Sequence, residues 1–405
     1  MADILFYPPF PDRPQLYDQF YRTLWNFLPA LDRLGKVIFP YGGDDFALLD
    51  VDQALDMAKV FMSRDFDPAI ADYAPRYAGK VAFATAAAAK AHAGPLKGII
   101  VWSTANPEHL SEAHAIAART GAEVVFADPE TVQQETLEVI SFVYRLFPED
   151  SLHKMLLDSS AIFFRRMADW RDRSIAAFGN GPSLAAVVKE RREPGASLRA
   201  ICNSTIGDKA ALDFLKPELL FCGDPIQHCG ASLYAGRFRA DLADAMQDPG
   251  RVLITQLGYL PYFKTVLPAD SHDRIIGVGL DRRSKFNIDL RQEFVVAATA
   301  NIFTMLVLPV CFTLSKQVDV YGCDGMPFAQ ATKPWSHANE GDYMSKMAVT
   351  HRIHPGFWRR NYEEEFASYC GDMEDVLVAA EAAGVKVYSK TTSYVPALAK
   401  RYAGA

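Results

Sequence analysis

A chain of 405 residues exceeds the usual size of one hydrophobic core, so two domains are expected. Half of the residues are hydrophobic and no low-complexity tract appears, which excludes a disordered or fibrous chain; a net charge of −7 with both signs interspersed argues against a nucleic-acid-binding surface. The six cysteines, at 202, 222, 229, 311, 323 and 370, make no C-x-x-C pair, so they read as reduced small apolar residues of a cytoplasmic protein rather than as a zinc site.

The first ten residues have no basic start and no small-residue cleavage site, and Pro8 and Pro9 break them, so no signal peptide is expected. Residues 1–150 alternate short β-branched or aromatic runs with longer helical ones, the pattern of a parallel α/β sheet. Strands are expected at Ile4–Tyr7, Val37–Pro40, Val81–Thr85, Gly98–Ser103 and Val124–Ala127, and helices at Gln15–Leu34, Pro107–Arg119 and Thr131–Leu146. Asp50-Val51-Asp52 and Asp65-Phe66-Asp67 have the Asp-x-Asp form of a metal-dependent transferase, but they fall in expected helix or loop and read as solvated acids, so no metal site is expected.

A helical connector spans 151–172, apolar at Met155, Leu156, Ile162, Phe163 and Met167. A second α/β domain then covers 173–405, with strands at Ser174–Phe178, Arg199–Cys202, Leu219–Cys222, Val252–Thr255, Val318–Tyr321 and Val385–Tyr388. The longest apolar region, Phe294–Leu314, is interrupted by Thr299, Asn301, Thr304, Pro309 and Thr313 and reads as a buried helix rather than a membrane span. From Gly325 to Gly356 prolines, glycines, three histidines, Trp335 and Tyr343 follow no period, which marks a long loop of the kind that forms lids.

The expected chemistry starts at Phe178-Gly179-Asn180-Gly181-Pro182-Ser183-Leu184, a strand-to-helix corner. Glycines let a ligand approach the backbone, Pro182 suits a first helical turn, and the new helix offers unpaired amides to an anion. Leu184 stands where a dinucleotide fingerprint has its third glycine, and no Gly-Lys-Ser/Thr follows, so neither a dehydrogenase nor a P-loop enzyme is indicated. Other strands of the second domain also end in polar groups: Asn203-Ser204, Gly223-Asp224 and Gly322-Cys323-Asp324-Gly325. In open α/β sheets ligands bind at that edge.

In order and spacing, residues 173–402 resemble the bacterial family 42 sialyltransferases and, behind them, the motility-accessory and pterin-diphosphokinase-like proteins; residues 1–150 take no part in this. The resemblance implies two Rossmann-like domains with mainly parallel sheets, the C-terminal one a GT-A-variant sialyltransferase-like fold. It also implies an inverting, metal-independent transfer of sialic acid or a related ulosonate from a CMP-activated donor to a glycan or protein hydroxyl, in polysaccharide or glycoconjugate biosynthesis. The donor would be held by Gly179, Asn180, Gly181, Pro182, Ser183, Asn203, Ser204, Asp224 and Asp324, with Ala300 or Asn301 where the family carries Thr-Ser-Gly.

Removing a proton from the acceptor hydroxyl near pH 7 suits a histidine, and the family places one at the end of its lid. His351 and His354 are the candidates here, with His337 as an outside choice. The family holds the departing phosphate with two tyrosines, one of them at the position of Met326, so Tyr343, Arg352 or Lys333 would have to replace them. No cofactor is expected beyond the donor substrate, and the N-terminal domain would recognise the acceptor or carry a second activity. The partners are then a nucleotide sugar and a glycan or glycoconjugate acceptor, without nucleic acid or a transmembrane segment; peripheral membrane association and an oligomer are compatible with the sequence. The alternatives are a magnesium-dependent diphosphokinase-like enzyme and a non-catalytic nucleotide-binding scaffold.

Overall fold

A computed structural model describes residues 2–281, 286–330 and 340–404. The chain divides into two units. Unit 1 comprises Met1–Pro148 together with two later segments, Pro225–Arg237 and Lys346–Arg360; unit 2 comprises Glu149–Asp224, Phe238–Ser345 and Asn361–Ala405. The helix expected as a connector is therefore part of unit 2, and two pieces expected in the C-terminal domain belong to unit 1.

Unit 1 is built on a sheet of β1 (Ala2–Tyr7), β2 (Leu34–Tyr41), β3 (Val81–Thr85), β4 (Leu96–Val101) and β5 (Glu123–Phe126), in the order β3-β2-β1-β4-β5 with every pairing parallel. That is the order of a Rossmann-like half, and its reversal lies between β1 and β4. The central strand is apolar on both faces, with Ile4, Leu5, Phe6 and Tyr7 all buried, as a strand covered by helices on both sides must be. The first helix, Arg13–Asn26, starts where Asp12 accepts the Gln15 amide.

The two later segments join unit 1 through main-chain bonds. The Asp67 amide donates to Ala231 O and the Leu233 amide to Asp65 O, and Trp25 Nε1 donates to Cys229 O. Gly356 N donates to Pro129 O at 2.7 Å, while Arg22 Nη2 donates to Ile353 O at 2.7 Å. Sequence periodicity carries no trace of such non-local bonds.

Unit 2 holds an eight-stranded sheet: β6 (Ile175–Phe178), β7 (Leu198–Cys202), β8 (Leu219–Phe221), β9 (Val252–Gln256), β10 (Ile275–Asp281), β11 (Val295–Ala297), β12 (Gln317–Tyr321) and β13 (Lys386–Ser389). The order is β11-β10-β9-β8-β7-β6-β12-β13, again with every pairing parallel. Strand succession runs outward from β6 in one direction and jumps to β12 in the other, so the topological switch point lies between β6 and β12.

Two of these strands are absent from the sequence expectation. The glycines at 277 and 279 dilute the apolar signal of β10, and β11 is only three residues long inside an apolar run. The helix expected over Phe294–Leu314 is accordingly β11, a corner, and a helical run from Phe303 to Leu314. Pro309 withholds an amide from that run, and the turns before it are of the wide i→i+5 kind. The expected Gly325–Gly356 loop contains a helix, Glu340–Ile353. Among the described residues no helix is long and apolar enough to cross a membrane.

Candidate functional site

The glycine corner follows β6 and leads into a seven-residue helix, Ser183–Lys189. Its amides are not left open to an anion. Gly179 N donates to Tyr321 O and Gly181 N to Gly322 O, each at 2.8 Å, which binds the corner to the end of β12. A Cβ on Gly181 would lie 2.2 Å from Asp324 Oδ2 and 2.7 Å from Gly322 O, so glycine is required there by a close approach of two strand ends.

Asp324 completes the contact. Its Oδ2 accepts the Ser183 hydroxyl at 2.9 Å and its Oδ1 the Ser183 amide at 3.2 Å, so a carboxylate from another strand end caps a helix with no side-chain cap of its own. Burial raises the pKa of Asp324 above the usual carboxylate value, and the bonds from Ser183 pull it back. Where the sequence suggests a phosphate at the helix N-terminus, the structure has a carboxylate; an anion bound at this edge must sit beside Asp324, not in its place.

The neighbouring strand end supplies neutral polar groups. Tyr321, Phe178 and Ile201 are level in the register of β12, β6 and β7, so the residues that follow them share one edge. Asn180 Nδ2 donates to the buried Ser204 hydroxyl at 3.4 Å. Asn203 adopts φ +52°, a left-handed conformation that asparagine tolerates better than most residues. Its Oδ1 is buried without a hydrogen-bond partner, and so is the hydroxyl oxygen of Thr205. A strained residue carrying an unsatisfied acceptor is a pattern seen at functional sites.

Thus Gly179, Asn180, Gly181, Pro182, Ser183, Asn203, Ser204 and Asp324 converge on three adjacent strand ends. Asp224 lies past the end of β8, a strand further along. Thr255 and Gln256, which the sequence reading did not single out, hold that end: Thr255 Oγ1 donates to Cys222 O at 2.8 Å and Gln256 Nε2 to Gly223 O at 3.1 Å. Ala300 is exposed beyond β11. Asn301 caps the helical run, its Oδ1 accepting the Phe303 amide at 2.8 Å. The adjacent Ile302 side chain reaches Gly223, where a Cβ would meet its Cδ1 at 2.9 Å. Burial pushes the Cys202 thiol up to about 12 and the Cys323 thiol well above its ordinary value, so neither is a thiolate nucleophile at this edge.

The two histidines lie in unit 1. His351, on the helix Glu340–Ile353, is exposed, with its ring stacked on that of Trp358 at 3.3 Å between centroids. Partial burial lowers its pKa and keeps it neutral near pH 7. His354 is the opposite case, 1 % exposed and bonded through Nδ1 to Glu135. Of the groups named for the leaving phosphate, Arg352 makes a two-bond ion pair with Asp65 at 2.7 Å, and Tyr343 is buried and donates to Asp241 Oδ2. Lys333 and His337 lie outside the described residues. Asp50 and Asp67 cap helical turns, accepting the amides of Gln53 and Ala69. Among the described residues no three His, Cys, Asp or Glu side chains are grouped as a metal site.

No family model, curated protein or solved structure matches the chain. The site therefore stands on its own geometry.

Proposed function

We propose that unit 2 is a glycosyltransferase domain that binds a CMP-activated ulosonate at the β6/β12 switch point. The carrying observation is the convergence of Asn180, Asn203, Ser204 and Asp324 on adjacent strand ends, with Asn203 strained and its Oδ1 unsatisfied. Neutral amides and hydroxyls suit the phosphate, ribose and base edges of a nucleoside monophosphate. Asp324 suits a ribose hydroxyl, which donates to a carboxylate where a phosphate would be repelled by it.

In the transfer, the acceptor oxygen bonds to the anomeric carbon as the bond from that carbon to the CMP phosphate oxygen breaks; CMP leaves with the bonding electron pair, and the acceptor proton passes to a base. Of the two histidines named for the base from the sequence, only His351 is exposed. A second reading, a nucleotide-binding scaffold without transfer chemistry, is favoured by one observation: Tyr343 and Arg352 are already engaged by Asp241 and Asp65.

Thermal unfolding with CMP, CDP, UDP and ATP, each with magnesium and with chelator, separates the readings, because a ligand selective for the folded state raises its stability. The transferase reading expects stabilisation by CMP in chelator. An ATP response that requires magnesium overturns it in favour of a diphosphokinase. Donor turnover that is unchanged in His351→Ala removes that histidine from the mechanism, and CMP binding with no turnover of any CMP-ulosonate supports the scaffold.

A further inference from the structure

Near the reversal of strand order in unit 1 lies a closed, partly polar cavity of about 20 Å³. Phe6 near the end of β1, Ile100 near the end of β4 and Ala127 just past β5 line it, together with Val139, Glu135 and His354. His354 is 1 % exposed and Glu135 5 %, so bulk solvent reaches neither. His354 Nδ1 and Glu135 Oε1 share a hydrogen bond, and Thr136 Oγ1 donates to the same oxygen at 3.3 Å. The other ring nitrogen, Nε2, and the other carboxyl oxygen, Oε2, have no hydrogen-bond partner among the described residues. Two buried polar atoms left in that state are costly in a folded protein.

The space beside them is small. About 10–15 Å³ holds one water, so the cavity has room for one or two. Gly230 keeps the approach to Nε2 open, since a Cβ there would lie 3.1 Å from that nitrogen. A cavity with purely apolar walls stays dry, whereas one that presents unsatisfied polar atoms takes up water. Water both donates and accepts, so it completes Nε2 and Oε2 in every protonation state of the pair: it donates to whichever atom is bare and accepts from whichever carries a proton. A fixed charge would match only some of those states.

We infer that ordered water occupies this cavity, bonded to His354 Nε2 and Glu135 Oε2, and completes a clasp between the Lys346–Arg360 segment and the helix Glu135–Arg145. The clasp adds to the main-chain anchors of the same segment, Arg22 to Ile353 O and Gly356 N to Pro129 O. It is independent of the strand-end site of unit 2.

The test uses the unaltered chain, deuterated except at the methyl groups of valine, leucine and isoleucine. Val139 lines the cavity and is 3 % exposed, so bulk water does not contact its methyls. A cross-peak between those methyls and the water resonance is expected, with opposite signs in nuclear Overhauser and rotating-frame spectra, the mark of a held rather than a diffusing water. Xenon under pressure, which enters dry apolar cavities, is expected to leave the Val139 shifts unmoved. Glu135→Leu combined with His354→Leu removes both polar groups at similar volume and is expected to lose the water cross-peak; a signal relayed by the hydroxyls of Thr23 or Thr136 would survive that change. Where the double variant does not fold, the two measurements on the unaltered chain decide. No cross-peak in the unaltered chain, a xenon-induced shift at Val139, or a cross-peak retained in the folded double variant overturns the inference.

Discussion

Both units carry a parallel sheet whose strand order reverses, yet the two reversals are finished with different chemistry. In unit 1 rings and hydrogen bonds tie the ends of β1, β4 and β5, beside a cavity of about 20 Å³ lined by Phe6, Ile100, Ala127, Glu135 and His354. Trp102 donates its main-chain amide to Tyr7 O and its Nε1 to Pro8 O, and stacks on Phe10 with ring centroids 4.5 Å apart. Asp128 there accepts the Thr104 amide and hydroxyl and the Glu130 amide. In unit 2 the corresponding edge has a glycine corner, an asparagine in a left-handed conformation and buried acceptors without donors. Topology supplies a crevice in both; the residues one step past each strand decide which groups line it.

The strongest way to break this contrast is to separate the two strand ends of unit 2. Gly181→Val places a side chain where a single Cβ already meets Asp324 and Gly322, and is expected to cost about 3 kcal/mol in denaturant unfolding and to abolish the CMP response. Trp102→Ala removes the ring that closes the edge of unit 1. It is expected to cost about 2 kcal/mol by the same measurement, the ring being only half-buried, and to leave the CMP response intact. A CMP response lost in Trp102→Ala would put the ligand in unit 1 and reverse the contrast.

Asn203→Gly has a smaller effect and a more telling sign. It relieves the left-handed strain and removes the unsatisfied Oδ1, so stability is expected to be unchanged or to rise by about 1 kcal/mol while CMP affinity falls. A residue kept for packing alone would lose stability instead.

The smallest expected effect is on pH dependence. Burial raises the Asp324 pKa, so between the ordinary carboxylate value and the raised one the folded state binds more protons than the unfolded. Its contribution to stability is therefore present at low pH and lost as pH rises through that window. Asp65 in unit 1 has the reverse sign: its bond and charge pairing with Arg352 lower its pKa, so its contribution is present above the ordinary value and lost as pH falls through the lowered one. Asp324→Asn is expected to remove the acid-side gain, and Asp65→Asn the acid-side loss, in unfolding measured from neutral pH down to below the ordinary carboxylate value.

Much of the architecture was legible in the sequence, because buried parallel strands are short apolar runs ended by turn residues. All five strands of the first sheet and six of the eight in the second announce themselves in this way. β10 and β11 did not, since glycines interrupt one and the other is a three-residue stretch continuous with an apolar helix. The convergence of Asn180, Ser204 and Asp324 follows from strand order together with polar strand ends. That Asp324 would occupy the helix N-terminus does not follow, since it depends on a contact between residues 141 positions apart. The same limit hid the pairing of His354 with Glu135, 219 positions apart, and the membership of Lys346–Arg360 in unit 1.

The most direct test of the central claim is calorimetric titration of CMP, in chelator, into the unaltered chain and into Asn203→Gly, with folding of both verified by circular dichroism. The expected result is saturable binding to the unaltered chain and a loss of affinity of at least about tenfold in the variant, the scale of one hydrogen bond to a charged or strongly polar group. Absence of CMP binding to the unaltered chain, or equal affinity in the two, would contradict a nucleotide site at the β6/β12 switch point.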